Sequence, residues 1–306
     1  MATQLVRGSR SAGSGNVATK RFTLADTQQA SAALANRYGL HAREGWGKTS
    51  LAAHAPKPIF IQTRGETGLD TLISNGQLPQ TPHFPEIQTW DELTAAIRFL
   101  IDEQHPYRTL VLDTVNGAER LCYEHVCHRD FNDEWGDKGF GGYQRGYEVS
   151  QAEWRMFLNA LDDLRRAKNM TVFFLIHTKV KTFKNPEGAD FDRWAPDMHE
   201  KCWGLTHKWL DCVLFGNFET VVSLAKSDKG DVTKKGKAAT DSCRMLYTQQ
   251  RPAFDAKNRL GLPEEIEMGN SATEAWQALT AAIKSSRKMA APAEEVPAQT
   301  QEHANA

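Results

Sequence analysis

The sequence predicts an α/β domain, and three observations point there. Apolar segments of strand length recur at residues 58–63, 109–113 and 170–176, while the stretches between them repeat apolar residues at helical spacing. Gly45-Trp46-Gly47-Lys48-Thr49 stands between a short strand candidate and a short helix candidate, the position at which α/β folds bind phosphate. With 306 residues, 40% hydrophobic and 25% charged, the chain can bury a sizeable core as one large domain with ragged ends or as two small ones. A formal net charge of −1 gives no overall basic field, so any nucleic-acid surface must be local. The five cysteines are odd in number and scattered, which fits reduced thiols in a cytosol-like compartment better than a disulfide framework.

Residues 1–30 read as a flexible N-terminal segment, polar and Gly/Ser-rich, with no apolar signal core. No apolar run approaches the roughly 20 residues of a membrane span, so no membrane partner and a cytoplasmic location are expected. Residues 38–41 form a short strand candidate. The next segment carries Gly47, Lys48 and Thr49 in the register of G-x-x-x-x-G-K-[ST]. In that pattern small residues let backbone N–H groups wrap a β-phosphate, the lysine reaches the β/γ-phosphates and the threonine hydroxyl holds Mg²⁺. Gly45, Trp46, Gly47, Lys48, Thr49 and Ser50 are therefore the candidate nucleotide-binding residues. Ala42 replaces the first glycine, which a negative φ tolerates because only one methyl is added. The helix beginning near Thr49 stops at Pro56 and aims its N-terminal dipole at the phosphates.

Residues 58–63 make a buried strand. Glu66 follows it, either orienting a water near a γ-phosphate or sitting solvated in a turn. Residues 71–88 read as loop, with Pro79, Pro82 and Pro85. Thr89 and Glu92 form a capping box for a helix carrying Leu93, Ala96, Ile97, Leu100 and Ile101 on one face. The strand at 108–114 ends in Asp113, the arrangement in which a strand-tip carboxylate supports Mg²⁺, usually through a hydration water. A helix opens at Asn116. Cys122, His125, Cys127 and His128 lie within it and lack a second ligand pair, which favours packing over zinc.

Residues 130–148 are rich in glycine and aromatics. Trp135, Phe140 and Tyr143 there either meet bases or cover the edge of the core. Ser150 and Glu153 form another capping box, followed by an apolar face of Trp154, Phe157, Leu158, Leu161 and Leu164. The strand at 170–176 is continuously apolar, hence buried on both faces, and it delivers His177 to the carboxyl edge of the sheet, where open α/β folds bind ligands. Beyond it Lys179, Lys181, Lys184 and Arg193 alternate with Phe183, Phe191 and Trp194, a mixture that suits single-stranded nucleic acid and equally a solvated loop. Residues 226–241, with five lysines and two glycines, read as a solvated hairpin tip. Lys257 and Arg259 fall on one side of an extended segment. Ser271 and Glu274 cap a last helix with Trp276, Leu279 and Ile283, and from residue 285 the Ala/Pro/Glu/Gln composition reads as a disordered tail. The expected organisation is thus 1–30 flexible, 31–284 one domain and 285–306 tail.

The ordered set GWGKTS, TLVLDT, FFLIHT and AKNRLGLP resembles the phage-type ATP-binding proteins of the RecA-like P-loop ATPase group over residues 35–270. The resemblance implies a RecA-like core with a mainly parallel sheet, in which the strand ending at His177 lies between the strand before the phosphate loop and the Asp113 strand. It implies ATP and Mg²⁺ as cofactors, with Lys48 and Thr49 on phosphate and metal, Asp113 supporting the metal and His177 in the sensor position. Lys257 and Arg259 would reach a neighbouring subunit's ATP, as an arginine finger does, in a homo-oligomer. The segments 130–148 and 178–195 fall where recombinases of this group face DNA. The expected role is a Mg²⁺-dependent ATPase acting with single-stranded DNA in phage-type recombination or replication, in the bacterial host cytoplasm if phage-encoded. Relatives place a glutamate where this chain has Arg64, with Glu66 two residues on, so the water-activating residue is an open assignment. A P-loop kinase and a nucleotide-gated assembly protein with little turnover are the competing readings.

Overall fold

The computed structural model describes residues 23–27, 34–226 and 232–290. The chain divides into two units, Met1–Ala33 and Leu34–Ala306. In the first, a single 3-10 turn, Leu24–Asp26, is described. The rest of the segment expected to be flexible lies outside the described residues, as does 291–306 of the expected tail.

The second unit is built on a sheet whose five central strands are parallel. β1 (Arg37–Ala42) lies between β4 (Thr171–Phe183) and β6 (Cys212–Lys226), and β3 (Thr109–Asp113) lies between β2 (Pro58–Gln62) and β4. The strand carrying His177 therefore separates the Asp113 strand from the strand leading into the phosphate loop, as the resemblance implied. Antiparallel β7 (Val232–Tyr247) and β9 (Glu265–Glu267) extend the sheet beyond β6. β5 (Phe191–Pro196) and β8 (Lys257–Asn258) add antiparallel pairs to β4 and β6.

Alternation along the strands builds a core on each face of the sheet. Val172, Phe174 and Ile176 pack with α3 (Trp90–Asp102), α4 (Val115–Phe131), α5 (Arg145–Lys168) and α6 (Glu200–Trp209). Phe173 and Leu175 point the other way, toward α1 (Lys48–Ala53), α2 (Gly68–Ser74) and α7 (Ala272–Ala290). Full burial of such side chains stabilises the fold by about 1.5–3 kcal/mol each, so sheet residues buried on both faces hold its edge rigidly in place.

The predicted caps of α3 and α7 are present. Glu92 N–H donates to Thr89 Oγ1 at 3.2 Å, and Glu274 N–H to Ser271 Oγ at 3.1 Å. The cap expected at Ser150 is not one. α5 already starts at Arg145, so Ser150 is interior and buried, its hydroxyl donating to Gly146 O at 2.7 Å, while Glu153 pairs with Arg129. α2 occupies the first part of the segment read as loop. α7 continues past residue 285 to Ala290, shortening the expected tail. The segment 226–241 is mostly strand, since β7 begins at Val232, and residues 227–231 lie outside those described.

Buried Glu119 on α4 joins that helix to α6. It accepts from Tyr123 Oη at 2.9 Å and from His199 N–H at 3.1 and 3.2 Å, tying the N-cap of α6 to α4. Burial pushes its carboxyl up from 4.5 to about 7. The folded chain therefore holds a proton that the unfolded chain releases, and stability falls as pH rises from about 4.5 to about 7. Glu119→Gln keeps the acceptor oxygen and removes the buried charge. Thermal unfolding should show it melting about 3–6 °C above wild type at pH 8 and near wild type at pH 4.5; equal melting at both pH values would contradict the assignment.

Candidate active site

The phosphate loop leaves the sheet at Ala42, the last residue of β1, and enters α1 at Lys48. Gly45 at φ 71° and Gly47 at φ 100° make the left-handed turns that a side chain would strain. Ala42 is not among the positive-φ residues, so its methyl is tolerated as expected. Its room comes from across the sheet. Its register partner is Gly216, where an added Cβ would lie 2.7 Å from the Ala42 Cβ and 2.6 Å from the Trp46 ring.

Lys48, Thr49, Asp113, Glu66 and His177 converge at this edge. Thr49 Oγ1 donates to Asp113 Oδ2 at 2.9 Å, joining the α1 hydroxyl to the tip of β3. Lys48 Nζ donates to Ala42 O at 3.2 Å. Burial depresses its amine below the usual range, opposed by the charges of Asp113, Glu66 and Glu44. Asp113 is 4% exposed, and burial pushes its carboxyl up to about 6 against the Thr49 bond. A carboxylate so short of solvent, beside a hydroxyl and an ammonium, is a donor set suited to a hydrated Mg²⁺ on a phosphate.

Glu66 stands on the other side of Asp113. His177 Nε2 lies 3.0 Å from Glu66 Oε1, and Thr114 Oγ1 donates to the same oxygen at 3.0 Å. An ionised carboxylate only accepts, so His177 carries its proton on Nε2. The histidine bond holds Glu66 below the usual carboxylate range, and the glutamate raises His177. Both donors use Oε1, which leaves Oε2 as the oxygen available to a water. The turn is shaped by its own backbone: Glu66 N–H donates to Thr63 O at 3.0 Å and Gln62 Nε2 to Glu66 O at 3.1 Å.

Other expected residues are placed differently. Trp46 is buried, its indole N–H shared between Asn217 O at 3.1 Å and Met245 O at 3.2 Å, and its backbone N–H turns back to Arg43 O. It anchors the loop against β6 and β7 and presents neither group to a phosphate. Gly45, Gly47, Lys48, Thr49 and Ser50 do line an open cleft, with Gly68, Thr71, Leu72 and Gln77 opposite. Lys257 and Arg259 lie beside the start of β6, at the amino edge of the sheet and away from this cleft. The Lys257 ammonium donates to His207 O and Leu210 O, each at 2.6 Å, so it closes the C-terminus of α6; Arg259 is exposed.

The segment 178–195 is no loop. β4 runs on to Phe183 and pairs with β5, because β-branched and aromatic residues alternate across it. Its lysines have acidic neighbours: Lys179 with Asp197, Lys181 with Glu200 and Lys184 with Asp190. Arg43 of the phosphate loop stacks over Trp194 at 5.5 Å, so the base of this hairpin touches the loop. In 130–148, Phe140 is 1% exposed and packs on Tyr123, Phe131 and Tyr147, whereas Tyr143 is fully exposed. Five acids against two cations make that segment a poor match for phosphates.

Three residues at the edge escaped sequence reasoning. Thr114 orients Glu66. Asn116 Oδ1 accepts from His177 N–H at 2.8 Å and fixes the strand that carries the histidine. Arg244 overhangs the loop from β7. Thr114 and Asn116 could have been found from their adjacency to Asp113; Arg244 had no local signal.

Among solved structures, the fold is similar to a prototypical ATPase from the type III secretion system of pathogenic bacteria, at TM-score 0.36 and 14% identity, covering 60% of this chain and 52% of that one. The chain thus spans about half the length of that ATPase. No curated protein matches. A family model described as an AAA domain matches residues 34–260, from β1 through the site to Arg259's neighbour Leu260, and the chain belongs to that ATPase family.

Proposed function

We propose that the chain binds ATP with Mg²⁺ and hydrolyses it as a homo-oligomer, in contact with single-stranded DNA. The observation that carries the reading is the Thr49–Asp113 contact of 2.9 Å, with the Lys48 amine and the Glu66–His177 pair on the same sheet edge. Lys48 would neutralise the β/γ-phosphates, Thr49 and Asp113 would hold the hydrated metal, and Glu66 Oε2 would accept a proton from the attacking water. Bound Mg²⁺ would spread the charge that develops on the phosphoryl oxygens.

Arg259 is exposed and on the opposite edge of the sheet, which suits action on a neighbour's site. Lys257 is tied to its own chain, which leaves Arg259 as the finger. Arg259→Ala should keep wild-type affinity for ATP and lose hydrolysis by about 10³-fold, the order of an arginine finger. Mixing it with Lys48→Ala subunits, whose Arg259 is intact, should restore part of the phosphate release. Weakened ATP binding in the single variant would show a local role instead.

The DNA contact rests on the β4–β5 hairpin. Val180 and Phe183 are exposed beside its lysines, and exposed lysine–acid pairs of about 0–1 kcal/mol exchange readily for phosphates. His177 lies on the same strand, two residues before Lys179. The test is phosphate release with and without single-stranded DNA, using wild type and Lys48→Ala. Stimulation in wild type alone supports the reading. Phosphate transfer to a nucleoside or protein would replace it with a kinase, and ATP-driven assembly without turnover would replace it with a nucleotide-gated scaffold.

A further inference from the structure

We infer that Arg244 is a second cation of the nucleotide site, donating from Nη1 to an α-phosphate oxygen on the flank of the loop opposite the metal. This rests on the nucleotide reading above. Arg244 lines the same cleft as Lys48 and Thr49 but comes from β7, beyond β6 in the sheet. Asp113 ends β3 and Glu66 follows β2, on the other side of β1. A triphosphate whose γ end lies at Asp113 therefore has its α end toward β7.

The guanidinium is already aimed. Nε donates to Gly269 O at 3.0 Å and Nη2 to Ser271 O at 2.9 Å, which fixes the plane of the fork. Nη1 is 3.5 Å from Trp46 O, at the outer limit of a hydrogen bond, and lies 3.2 Å from where a Cβ would stand on Gly47. Its N–H groups thus face the loop with no close acceptor. Nε and Nη2 are held by carbonyl oxygens, and the Glu274 carboxylate at the start of α7 acts on the guanidinium from that side, away from Nη1. Because Gly269 and Ser271 precede α7, the same side chain joins the loop to that helix.

The test measures binding of ADP and of the two ADPαS diastereomers to full-length wild type and Arg244→Gln, without metal. Wild type should prefer the isomer that keeps oxygen at the position Nη1 reaches. Arg244→Gln should bind ADP about 10- to 100-fold more weakly, the range of one charge-assisted bond, and its preference between isomers should fall toward one. An unchanged ADP affinity and isomer ratio in Arg244→Gln overturns the inference and leaves the nucleotide reading intact. Failure of wild type to bind ADP overturns the nucleotide reading itself. A second measurement needs no variant: ADP, unlike adenosine, should protect Arg244 of wild type from phenylglyoxal, read by peptide mass. Equal modification with either compound overturns the inference.

Discussion

Lys48→Ala is expected to weaken ATP binding by roughly 10²- to 10³-fold, the equivalent of two charge-assisted hydrogen bonds, and to abolish phosphate release. The amine sits at the foot of α1 with Ala42 O as its acceptor, so the folded chain loses little when it is removed. Its charge is the one that Asp113 and Glu66 face, and a triphosphate brings more negative charge to the same place. Equilibrium binding of a fluorescent ATP analogue checks this, with thermal unfolding to confirm the fold. An unchanged affinity would mean that the loop is built for something other than phosphate.

Glu66→Gln separates chemistry from binding. Affinity for ATP should stay within a few-fold of wild type, while phosphate release should fall by about 10²- to 10⁴-fold, the range of a general base. The glutamine still accepts from His177 and Thr114, so the edge keeps its shape. The ion pair also has a defined pH window. Glu66, held below its ordinary value of 4.5, contributes stability that is lost only as pH falls through that lowered value. His177, raised above 6.5, contributes stability that is lost as pH rises through the raised value. The pair is intact between, so a pH dependence of turnover within that interval belongs to the Asp113 carboxyl, pushed up to about 6, and not to the pair. Full turnover in Glu66→Gln would assign the base elsewhere.

What the sequence made legible were the features whose physics is local. Gly47, Lys48 and Thr49 specify their turn by spacing, and the strand before Asp113 announces itself by composition. The continuous apolar run before His177 marked a strand buried on both faces, and the family resemblance implied its place between the Asp113 strand and the strand before the phosphate loop. The misreadings came from tertiary contacts. Trp46 stands within the loop motif, yet its indole is claimed by backbone oxygens of β6 and β7 from far along the chain. Ser150 carries a capping signature, but α5 begins earlier and absorbs it. Lys257 looks like half of a finger until α6 is seen to end beneath it. The hairpin reading of 226–241 anticipated that β7 turns back along β6, but not that the register sets Arg244 opposite Phe218 and so brings its guanidinium to the cleft.

The most direct test is a crystal structure of the chain with Mg²⁺ and a non-hydrolysable ATP analogue. The account predicts one magnesium about 2.0–2.1 Å from Thr49 Oγ1, with Asp113 in its coordination shell or one water away, and Lys48 Nζ on the β- and γ-phosphates. A nucleotide bound elsewhere, or a metal beyond the common reach of Thr49 and Asp113, would contradict it.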